Sequence, residues 1–302
     1  MTATAVPGRQ QVAAKSGTWR VVAVVALAVC LAAAAPARAA ELKKETAAAF
    51  ERYVKIREAQ LDGHVERSAD NGHAFLYLDS LPSKERTAAL QTMNAGEVFI
   101  ERLRLRDENG REIDCPDGII HHWVGTVFIP GATLEQTIAL VQDYDRHHIN
   151  YAPEVLISRE LSQQGDEFRI QMRFIKKKVV TVVVDTWQDV RYVPVRANRM
   201  FSSAIATRIQ EVEHHGQPGE TRKPEGKDGG YLWRLNTYWK FEQRDGGVYV
   251  QCEAISLTRD VPFLIAWLRP FITGVPKESL MFSLGTTRKL LLESASQSST
   301  SN

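Results

Sequence analysis

The feature that most limits the fold of this chain is a row of strand-like segments in its second half. Alternating apolar and polar residues predict five of them, at 155–161, 168–176, 179–192, 199–212 and 231–243. Asp245-Gly246, a strong two-residue hairpin signal, joins the last of these to a sixth strand at 248–259. Because consecutive strands joined by short turns pair antiparallel, we expect an antiparallel sheet.

A further strand and two helical regions flank this row. The strand is predicted at 119–129. Thr133 and Gln136 then form a capping box that opens a helix, and a second short helical stretch follows it. A long helix is predicted at 276–293, with a stripe formed by Leu280, Leu284, Thr287 and Leu291. We expect a seven-stranded sheet that curls, with this helix covering its concave face.

The residues before this sheet form an N-terminal extension at 40–112. Their patterns predict two helices and a strand, at 41–61, 83–93 and 98–105. Two other segments lack such a pattern. The Pro- and Gly-rich residues 216–230 indicate a flexible loop, and the Ser-rich residues 294–302 indicate a disordered tail.

Residues 1–39 are typical of a cleavable secretory signal peptide. A polar segment precedes an unbroken apolar run of fifteen residues at 21–35, and Ala37-Arg38-Ala39 supplies small residues at the spacing that signal peptidase requires. The run is shorter than the roughly 20 residues that span a bilayer. We therefore expect a periplasmic or secreted protein that begins near residue 40.

Charge gives no reason to expect a nucleic-acid partner. Residues 1–40 hold four of the 38 Lys and Arg and none of the 36 Asp and Glu, so the rest of the chain is slightly acidic. Phosphate binding needs clustered cations, and the mature chain has no such excess.

Two short stretches point to a known family. They are Leu140-Val141-Gln142-Asp143-Tyr144 and Tyr151-Ala152-Pro153-Glu154-Val155, between the predicted short helices and the second strand. Together with the order strand, two helices, six strands and long helix, they resemble the START-like (SRPBCC) helix-grip superfamily. That superfamily includes START lipid-transfer domains, birch-allergen-like proteins, polyketide cyclases and coenzyme-Q-binding proteins. The resemblance covers about 119–292.

The resemblance implies an α+β helix-grip domain at 113–293, with a curved seven-stranded antiparallel sheet wrapped around a long C-terminal helix. It also implies a deep apolar cavity between the sheet and that helix. Such a cavity would hold a lipid, sterol, quinone or polyketide. The leader and the N-terminal extension depart from the intracellular members of the superfamily.

One predicted strand indicates which of its faces would line such a cavity. Its apolar positions, which we assign to the concave side, are Phe168, Ile170, Met172 and Phe174. A two-residue turn near Lys176–Lys178 would bring Asp185 and Trp187 of the next strand to that side, and parity across the following loop would add Arg208. A slip of one residue would invert these faces.

The last hairpin offers two alternative linings. The turn at Asp245-Gly246 sets Arg234 opposite Leu257, Asn236 opposite Ile255 and Tyr238 opposite Glu253. The other face carries Trp233, Leu235 and Trp239. We expect the polar face to be concave, because ligand pockets are typically apolar with a few convergent polar groups. The aromatic face is the alternative, and the polar set then lies on the outer side.

The segment between Pro262 and Gly274 is dense in large apolar residues. Candidates for a lid or a membrane contact beside the cavity mouth are Phe263, Leu264, Trp267 and Leu268. The alternative is that this segment packs against the N-terminal helix. A transient membrane contact is therefore one expected partner interaction, and the exposed run Lys176–Lys178 would favour anionic lipid heads.

Catalytic and metal signals are weak. Adjacent histidines on a strand point to opposite faces, so the pairs His121-His122, His147-His148 and His214-His215 predict no metal site. The sequence contains no GxSxG, HExxH, P-loop or dinucleotide fingerprint, and we expect no cofactor. Cys115 and Cys252 are expected to be free thiols.

The leader predicts export, and the resemblance implies a protein that binds a hydrophobic small molecule, such as a lipid, for carriage or sequestration. An alternative is a polyketide cyclase-like or aromatase-like enzyme, in which Tyr238, Asp185 or Glu253 would act as general acid or base. A third alternative is an interaction module with a filled core. An open apolar cavity, an acid–base cluster and a plugged interior would distinguish the three.

Overall fold

The computed structural model describes residues 40–71, 74–178, 180–260 and 274–300, which all fall in one compact unit. The expected signal peptide and the lid candidates Phe263, Leu264, Trp267 and Leu268 lie outside these residues.

The strands are β1 (Ala40–Glu41), β2 (Phe99–Arg102), β3 (Gly118–Pro130), β4 (Val155–Gln164), β5 (Glu167–Lys177), β6 (Thr181–Arg196), β7 (Arg199–Glu213), β8 (Thr221–Arg222), β9 (Lys227–Asp228), β10 (Arg234–Arg244) and β11 (Gly247–Arg259). The helices are α1 (Lys44–Asn71), α2 (Ser83–Asn94), α3 (Leu134–Gln142), α4 (His147–Asn150) and α5 (Val275–Thr300), with 3₁₀ turns at Tyr77–Ser80 and Tyr144–Arg146.

One antiparallel sheet contains all seven predicted strands. Its order is β2-β3-β11-β10-β7-β6-β5-β4, with β8 paired to the end of β7. The α+β fold, the antiparallel sheet and the long C-terminal helix are confirmed. Strand β2 adds an edge strand from the N-terminal extension, because it pairs antiparallel with β3.

Local sequence signals determine two of the connections. The hairpin between β10 and β11 has Arg244 opposite Gly247, and Asp245 and Gly246 both take positive φ angles, of 54° and 74°. Two positive φ angles are the requirement of the tight primed hairpin turn, which Asp-Gly satisfies. At α3, the Thr133 hydroxyl accepts from the backbone N–H of Gln136, and the Gln136 side chain accepts from the backbone N–H of Thr133, so the capping box is confirmed.

Helix α5 covers one face of the sheet, which is called the helix side below. Its buried residues Leu280 and Leu284 pack there against apolar residues of β3 and β11. The approach is closest at Gly125, where a Cβ atom would lie 2.7 Å from Leu284 Cδ1. Glycine at this position therefore lets the helix backbone come near the sheet. None of the described helices is long and apolar enough to cross a membrane.

The N-terminal extension covers the opposite face, which is called the extension side below. Helix α1 supplies Phe50, Tyr53 and Leu61 to a second apolar core, together with Tyr249 and Ile255 of β11. The sheet is therefore buried on both faces. Helix α1 runs ten residues beyond the predicted end at 61, α2 agrees with its prediction, and β2 is shorter than predicted.

Two segments predicted as irregular contain regular structure. The 216–230 loop carries β8, which pairs with β7, and β9, which pairs with β1 at the start of the extension. Helix α5 continues to Thr300, so the expected disordered tail is wrong for 294–300. The Ser294 and Ser296 hydroxyls donate to the carbonyls of Leu290 and Leu292 one turn earlier, which keeps these serines compatible with the helix.

Candidate ligand site between the sheet and the C-terminal helix

The helix side of the sheet is an apolar surface built by alternate residues of the strands. On β5, Phe168, Ile170 and Met172 are buried there and Phe174 is partly buried, in the same core as Leu280 and Leu284 of α5. Every second side chain of a strand points to one face. The expectation that these four residues lie on the side of the C-terminal helix therefore agrees with their positions.

On β10 and β11, the aromatic and apolar face is the one that α5 covers. Trp239, Phe241, Val250 and Cys252 belong to the helix-side core. The predicted register is confirmed, since Tyr238 is opposite Glu253 and Asn236 is opposite Ile255. The expectation that the polar face of this hairpin is concave is wrong. Of the aromatic alternative, Trp239 is on the helix side, whereas Trp233 belongs to the extension-side core.

A row of tyrosine hydroxyls crosses one end of this apolar surface. The Tyr144 and Tyr192 hydroxyl oxygens are 2.9 Å apart, and both rings pack edge-on against Phe168. The Tyr151 hydroxyl lies 2.9 Å from Thr287 Oγ1 on α5. Burial raises the pKa of all three tyrosines, and that of Tyr192 reaches about 12, so the row is neutral.

His147 stands within this row as a buried, uncharged ring. Its centroid lies 5.1 Å from that of Tyr144 and 5.0 Å from that of Tyr151. Burial lowers the pKa of His147 to about 4, because the charged imidazolium would lose its hydration. Among the described residues, nothing forms a hydrogen bond with His147 Nε2 or with the buried Trp123 Nε1 at the other end of the surface.

The polar residues expected in the cavity lie instead on the extension side. Glu253 accepts from Arg57 Nε and Nη2 at 2.5 and 2.8 Å and from His122 Nε2 at 2.8 Å. Because His122 Nε2 donates to a carboxylate, the neutral ring accepts the Tyr53 hydroxyl proton at Nδ1, 2.9 Å away. Burial alone would raise the pKa of Glu253, but its hydrogen bonds from Arg57 and His122 outweigh burial and lower the pKa to about 2.

Tyr238 and Asn236 belong to the same buried surface. The Tyr238 hydroxyl donates to Glu58 Oε1 at 2.8 Å and accepts from Asn236 Nδ2 at 3.2 Å. Arg57 and Glu58 are both on α1, so the extension supplies the partners of this polar face. Their separation from β10 and β11 along the chain, by about 180 to 196 residues, kept these pairs out of reach of sequence patterns.

Asp185 and Trp187 also lie on the face opposite α5, contrary to expectation. Lys177 pairs with Thr181, so three residues rather than two connect β5 to β6, and this inverts every face of β6. Asp185 instead accepts from Arg173 on the neighbouring strand, at 2.6 and 2.9 Å, and from Arg222 of β8 at 2.6 Å.

Arg208 shares the outer face with Trp187. The pairing of Trp187 with Arg208 is followed by that of Gln188 with Ala206, so Thr207 is an extra residue in β7. This β-bulge moves Arg208 away from the face of Ala204 and Ala206. The Arg208 guanidinium stacks on the Trp187 ring, 3.5 Å from its centroid.

Arg234 lines a shallow pocket of about 260 Å³ at the edge of the extension. The residues of this pocket are Glu41, Leu42, Glu225, Gly226, Lys227 and Arg234. A second pocket, of about 270 Å³, lies between the extension and the sheet. Neither pocket borders α5. On the helix side, Leu280, Leu284 and Leu291 of α5 are buried against apolar residues of the sheet.

The predicted site residues therefore divide between two surfaces. Phe168, Ile170, Met172 and Phe174 share the helix side, whereas Asn236, Tyr238 and Glu253 share the extension side. The prediction missed the polar row, which consists of Tyr144, His147, Tyr151, Tyr192 and Thr287. A signal for it was present, because Tyr144 and Tyr151 are in the two stretches that carry the family resemblance.

Among the described residues, Cys115 and Cys252 are free thiols, as expected, with Cys252 buried on the helix side and Cys115 half-buried against the extension-side core. Burial raises the pKa of both, and that of Cys115 reaches about 11, so neither is a reactive thiolate at neutral pH. Within the described ranges, no group of three or more His, Cys, Asp or Glu residues has the arrangement of a metal site.

A strand, two short helices, six antiparallel strands and a long helix packed on the sheet make up a helix-grip fold. No protein-family model matches the sequence, and no curated protein matches it.

Several solved structures have a similar fold. A STAR-related lipid transfer protein from Xanthomonas axonopodis matches with a TM-score of 0.40 and 14% identity, over 63% of this chain and 98% of that protein. Human STARD10 matches with a TM-score of 0.42 and 9% identity, over 75% of this chain and 84% of that chain. Zhui aromatase/cyclase from Streptomyces sp. R1128 matches with a TM-score of 0.40 and 9% identity, over 57% of this chain and 94% of that chain. Similarities of this size say nothing about the ligand or activity of this chain.

Proposed function

We propose that this chain binds a hydrophobic small molecule, of the lipid, sterol or quinone type, between the helix side of the sheet and α5. In this proposal the protein carries or sequesters that molecule. One observation carries the proposal: the mainly apolar helix side contains two buried polar atoms, His147 Nε2 and Trp123 Nε1, which have no hydrogen-bond partner in the described part of the chain.

The polar row would orient the ligand. A buried polar atom without a partner costs free energy, so a ligand hydroxyl or carbonyl that reaches His147 Nε2 would recover part of that cost. The apolar body of the ligand would lie against Phe168, Ile170 and Met172. Each Å² of apolar surface removed from water would contribute roughly 25 cal/mol to binding. Because the helix side is closely packed, binding requires α5 or the segment at 143–151 to move away from the sheet.

The enzyme alternative required acid–base residues on the helix side, and the three candidates are not there. Asp185, Tyr238 and Glu253 all lie on the face opposite α5, where each is hydrogen-bonded to another side chain. The interaction-module alternative is favoured by one observation, the close packing of Leu284 against Gly125. It predicts a helix side that never opens to a ligand.

The first experiment is native mass spectrometry, with lipid extraction, of the protein expressed from its full-length sequence. A stoichiometric co-purifying lipid or quinone would support the carrier function and identify the ligand class. An apo mass that persists after exposure to a lipid extract would contradict it and favour the interaction module.

A matched pair of variants locates the ligand. Ala206 is on the helix side and the adjacent Thr207 is exposed in the bulge. Ala206→Trp adds bulk to the proposed site and should abolish the co-purifying mass. Thr207→Trp adds the same bulk at an exposed position and should leave it unchanged. Equal retention of ligand by both variants would place the ligand elsewhere.

We also propose that the chain is exported with removal of residues 1–39. The fifteen-residue apolar run and the small residues at 37–39 support this. Cell fractionation followed by intact-mass measurement tests it. A cytoplasmic protein whose mass includes residues 1–39 would contradict export without affecting the ligand proposal.

A further inference from the structure

The pocket of about 270 Å³ between the extension and the sheet has an unusual lining. Its walls come from α1, the 3₁₀ turn at Tyr77–Ser80, the segment after β2, and the central strands β10 and β11. The lining residues are Arg57, Gln60, Leu61, His64, Tyr77, Ser80, Leu103, Arg104, Leu105, Lys240 and Gln251. They include three cations and no carboxylate. The pocket is on the face of the sheet opposite the proposed ligand site at α5.

Lys240 is the most buried cation of this pocket, with 4% of its surface exposed. Its Nζ donates to the Phe75 carbonyl at 2.9 Å and lies 5.2 Å from the centroid of the Phe75 ring. No carboxylate of the described residues is within 4 Å of this ammonium group. An ammonium has three N–H donors, and among the described residues the only acceptor of a Lys240 hydrogen bond is that carbonyl.

The acids near Lys240 have other hydrogen-bond and ion-pair partners. Glu253 is held by Arg57 and His122, and Asp79 accepts from Arg244 and from two backbone N–H groups. Glu242 is paired with Arg199. A buried charge without a counter-ion is costly, so proteins normally pair it. An anion bound in the pocket next to Lys240 would supply the counter-ion that this ammonium group lacks among the described residues.

Burial lowers the pKa of Lys240 to about 8, so the ammonium form still predominates at neutral pH. Arg104 is exposed and its carboxylate partner, Glu112, is 3.3 Å away at the surface. Leu61, Leu103 and Leu105 make the pocket partly apolar. The site thus combines the buried cation Lys240, the exposed cation Arg104 at its rim and an apolar wall of leucine side chains.

We propose that this pocket binds a small amphipathic anion, a carboxylate or a phosphate ester on a short apolar body. The anionic oxygens accept from Lys240 Nζ, and the apolar body packs against Leu61, Leu103 and Leu105. Arg104 at the rim steers the anion inward. This site and the proposed ligand site at α5 are on opposite faces of the sheet, so either can exist without the other.

Isothermal titration calorimetry with three probes tests the charge requirement. The probes are hexanoate, hexyl phosphate and hexanol, added to the full chain. We expect at least one anion to bind with a Kd of about 1 mM or tighter, and hexanol to bind at least about tenfold more weakly. The tighter anion identifies the head group. Absence of binding by both anions, or equal binding of hexanol, would overturn the proposal.

Two variants and one control locate the binding. Lys240→Met removes the buried charge and should weaken the anion about tenfold or more, because a charge-assisted hydrogen bond is lost. Lys177→Met removes an exposed cation at the end of β5 and should have no effect. Ser80→Trp blocks the pocket at an exposed rim position and should also abolish binding.

Methyl NMR of the wild-type chain keeps the test independent of whether Lys240→Met folds. The methyl signals of Leu61, Leu103 and Leu105 should shift on titration with the anion, whereas those of Leu280 and Leu284 should not. Shifts confined to other methyl groups, or anion affinity unchanged in a folded Lys240→Met or Ser80→Trp variant, would overturn the proposal.

Discussion

On the helix side of the sheet the buried tyrosines and His147 are neutral, whereas the extension side also holds buried charged groups. Tyr144, Tyr192 and His147 are uncharged in the folded protein because burial shifts their pKa values away from neutrality. Glu253 and Arg57 on the extension side remain ionised because they form a bidentate pair. Both faces belong to the same strands, so alternate residues of one strand are exposed to two electrostatic environments.

The difference shows what the extension contributes. A helix with an apolar stripe, such as α5, can cover an apolar face, but the face with Glu253, Tyr238 and Asn236 needs a cover that carries matching polar groups. Helix α1 carries Arg57 and Glu58 at consecutive positions. Arg57 pairs with Glu253, and Glu58 accepts a hydrogen bond from Tyr238. The extension is therefore part of the fold rather than an appendage to it.

The largest effect is expected for Glu253→Ala. This change leaves the partly buried Arg57 without its carboxylate, and breaking a buried ion pair costs about 3–5 kcal/mol. Urea unfolding at neutral pH measures the free energy of unfolding. The double variant Arg57→Met/Glu253→Met, which removes both charges, should be more stable than Glu253→Ala. If the double variant is the less stable of the two, the pair is not the source of the loss.

On the helix side, Leu284→Ala tests packing without charge. Leu284 is fully buried against Gly125, and a buried Leu→Ala change costs about 2–5 kcal/mol. Met281→Ala on the same helix is the matched control, since Met281 is 40% exposed and should change the free energy of unfolding much less. Similar losses in both variants would mean that α5 does not bury Leu284 in solution.

The two sides should also lose stability in different pH windows. Burial lowers the pKa of His147 from 6.5 to about 4, so its contribution is complete above pH 6.5 and is lost as the pH falls to 4. The pKa of Glu253 is lowered from 4.5 to about 2, so its contribution is lost only between pH 4.5 and 2. Each shift corresponds to at most about 3 kcal/mol.

Single substitutions distinguish the contributions of His147 and Glu253 to the pH dependence of stability. His147→Phe should reduce the fall in the free energy of unfolding between pH 6.5 and 4. It should not abolish that fall, because burial also lowers the pKa of His121 to about 4 and that of His122. Glu253→Gln should flatten the profile below pH 4.5. Urea midpoints across this range provide the measurement, and a His147→Phe profile parallel to wild type would contradict a neutral buried His147.

Local signals predicted most of the fold. Hydrophobic alternation located the seven main strands, and the Asp245-Gly246 turn gave the correct register of β10 against β11. The end of α1 was missed because its last turns carry little apolar periodicity. The short strands β8 and β9 were missed because two-residue pairings leave no periodic pattern.

The candidate site was predicted less well, because one extra residue in a turn or a bulge changes which side chains of a strand point to each face of the sheet. One residue in the turn after Lys177 inverted β6, and the bulge at Thr207 moved Arg208. The polar face of the last hairpin was assigned to the ligand because its partners, Arg57 and Glu58, are far away in sequence. Alternation reveals that two faces differ, but it does not reveal which element covers each one.

The smallest expected effect compares one buried threonine on each side. Thr287 Oγ1 is 2.9 Å from the Tyr151 hydroxyl, and Thr46 Oγ1 donates to the Pro116 carbonyl at 2.7 Å. Each Thr→Val change should cost about 1 kcal/mol, the net worth of one hydrogen bond. On the helix side the Thr287 hydroxyl donates to the Ser283 carbonyl one turn earlier and accepts from the Tyr151 hydroxyl. Tyr151→Phe/Thr287→Val removes both members of the side-chain pair and should cost less than the sum of the two single changes. On the extension side the acceptor is backbone, and Thr46→Val has no such compensating change. Additive losses at Tyr151 and Thr287 in urea unfolding would mean that their hydroxyls are not paired, and the polar row would then not be continuous with α5.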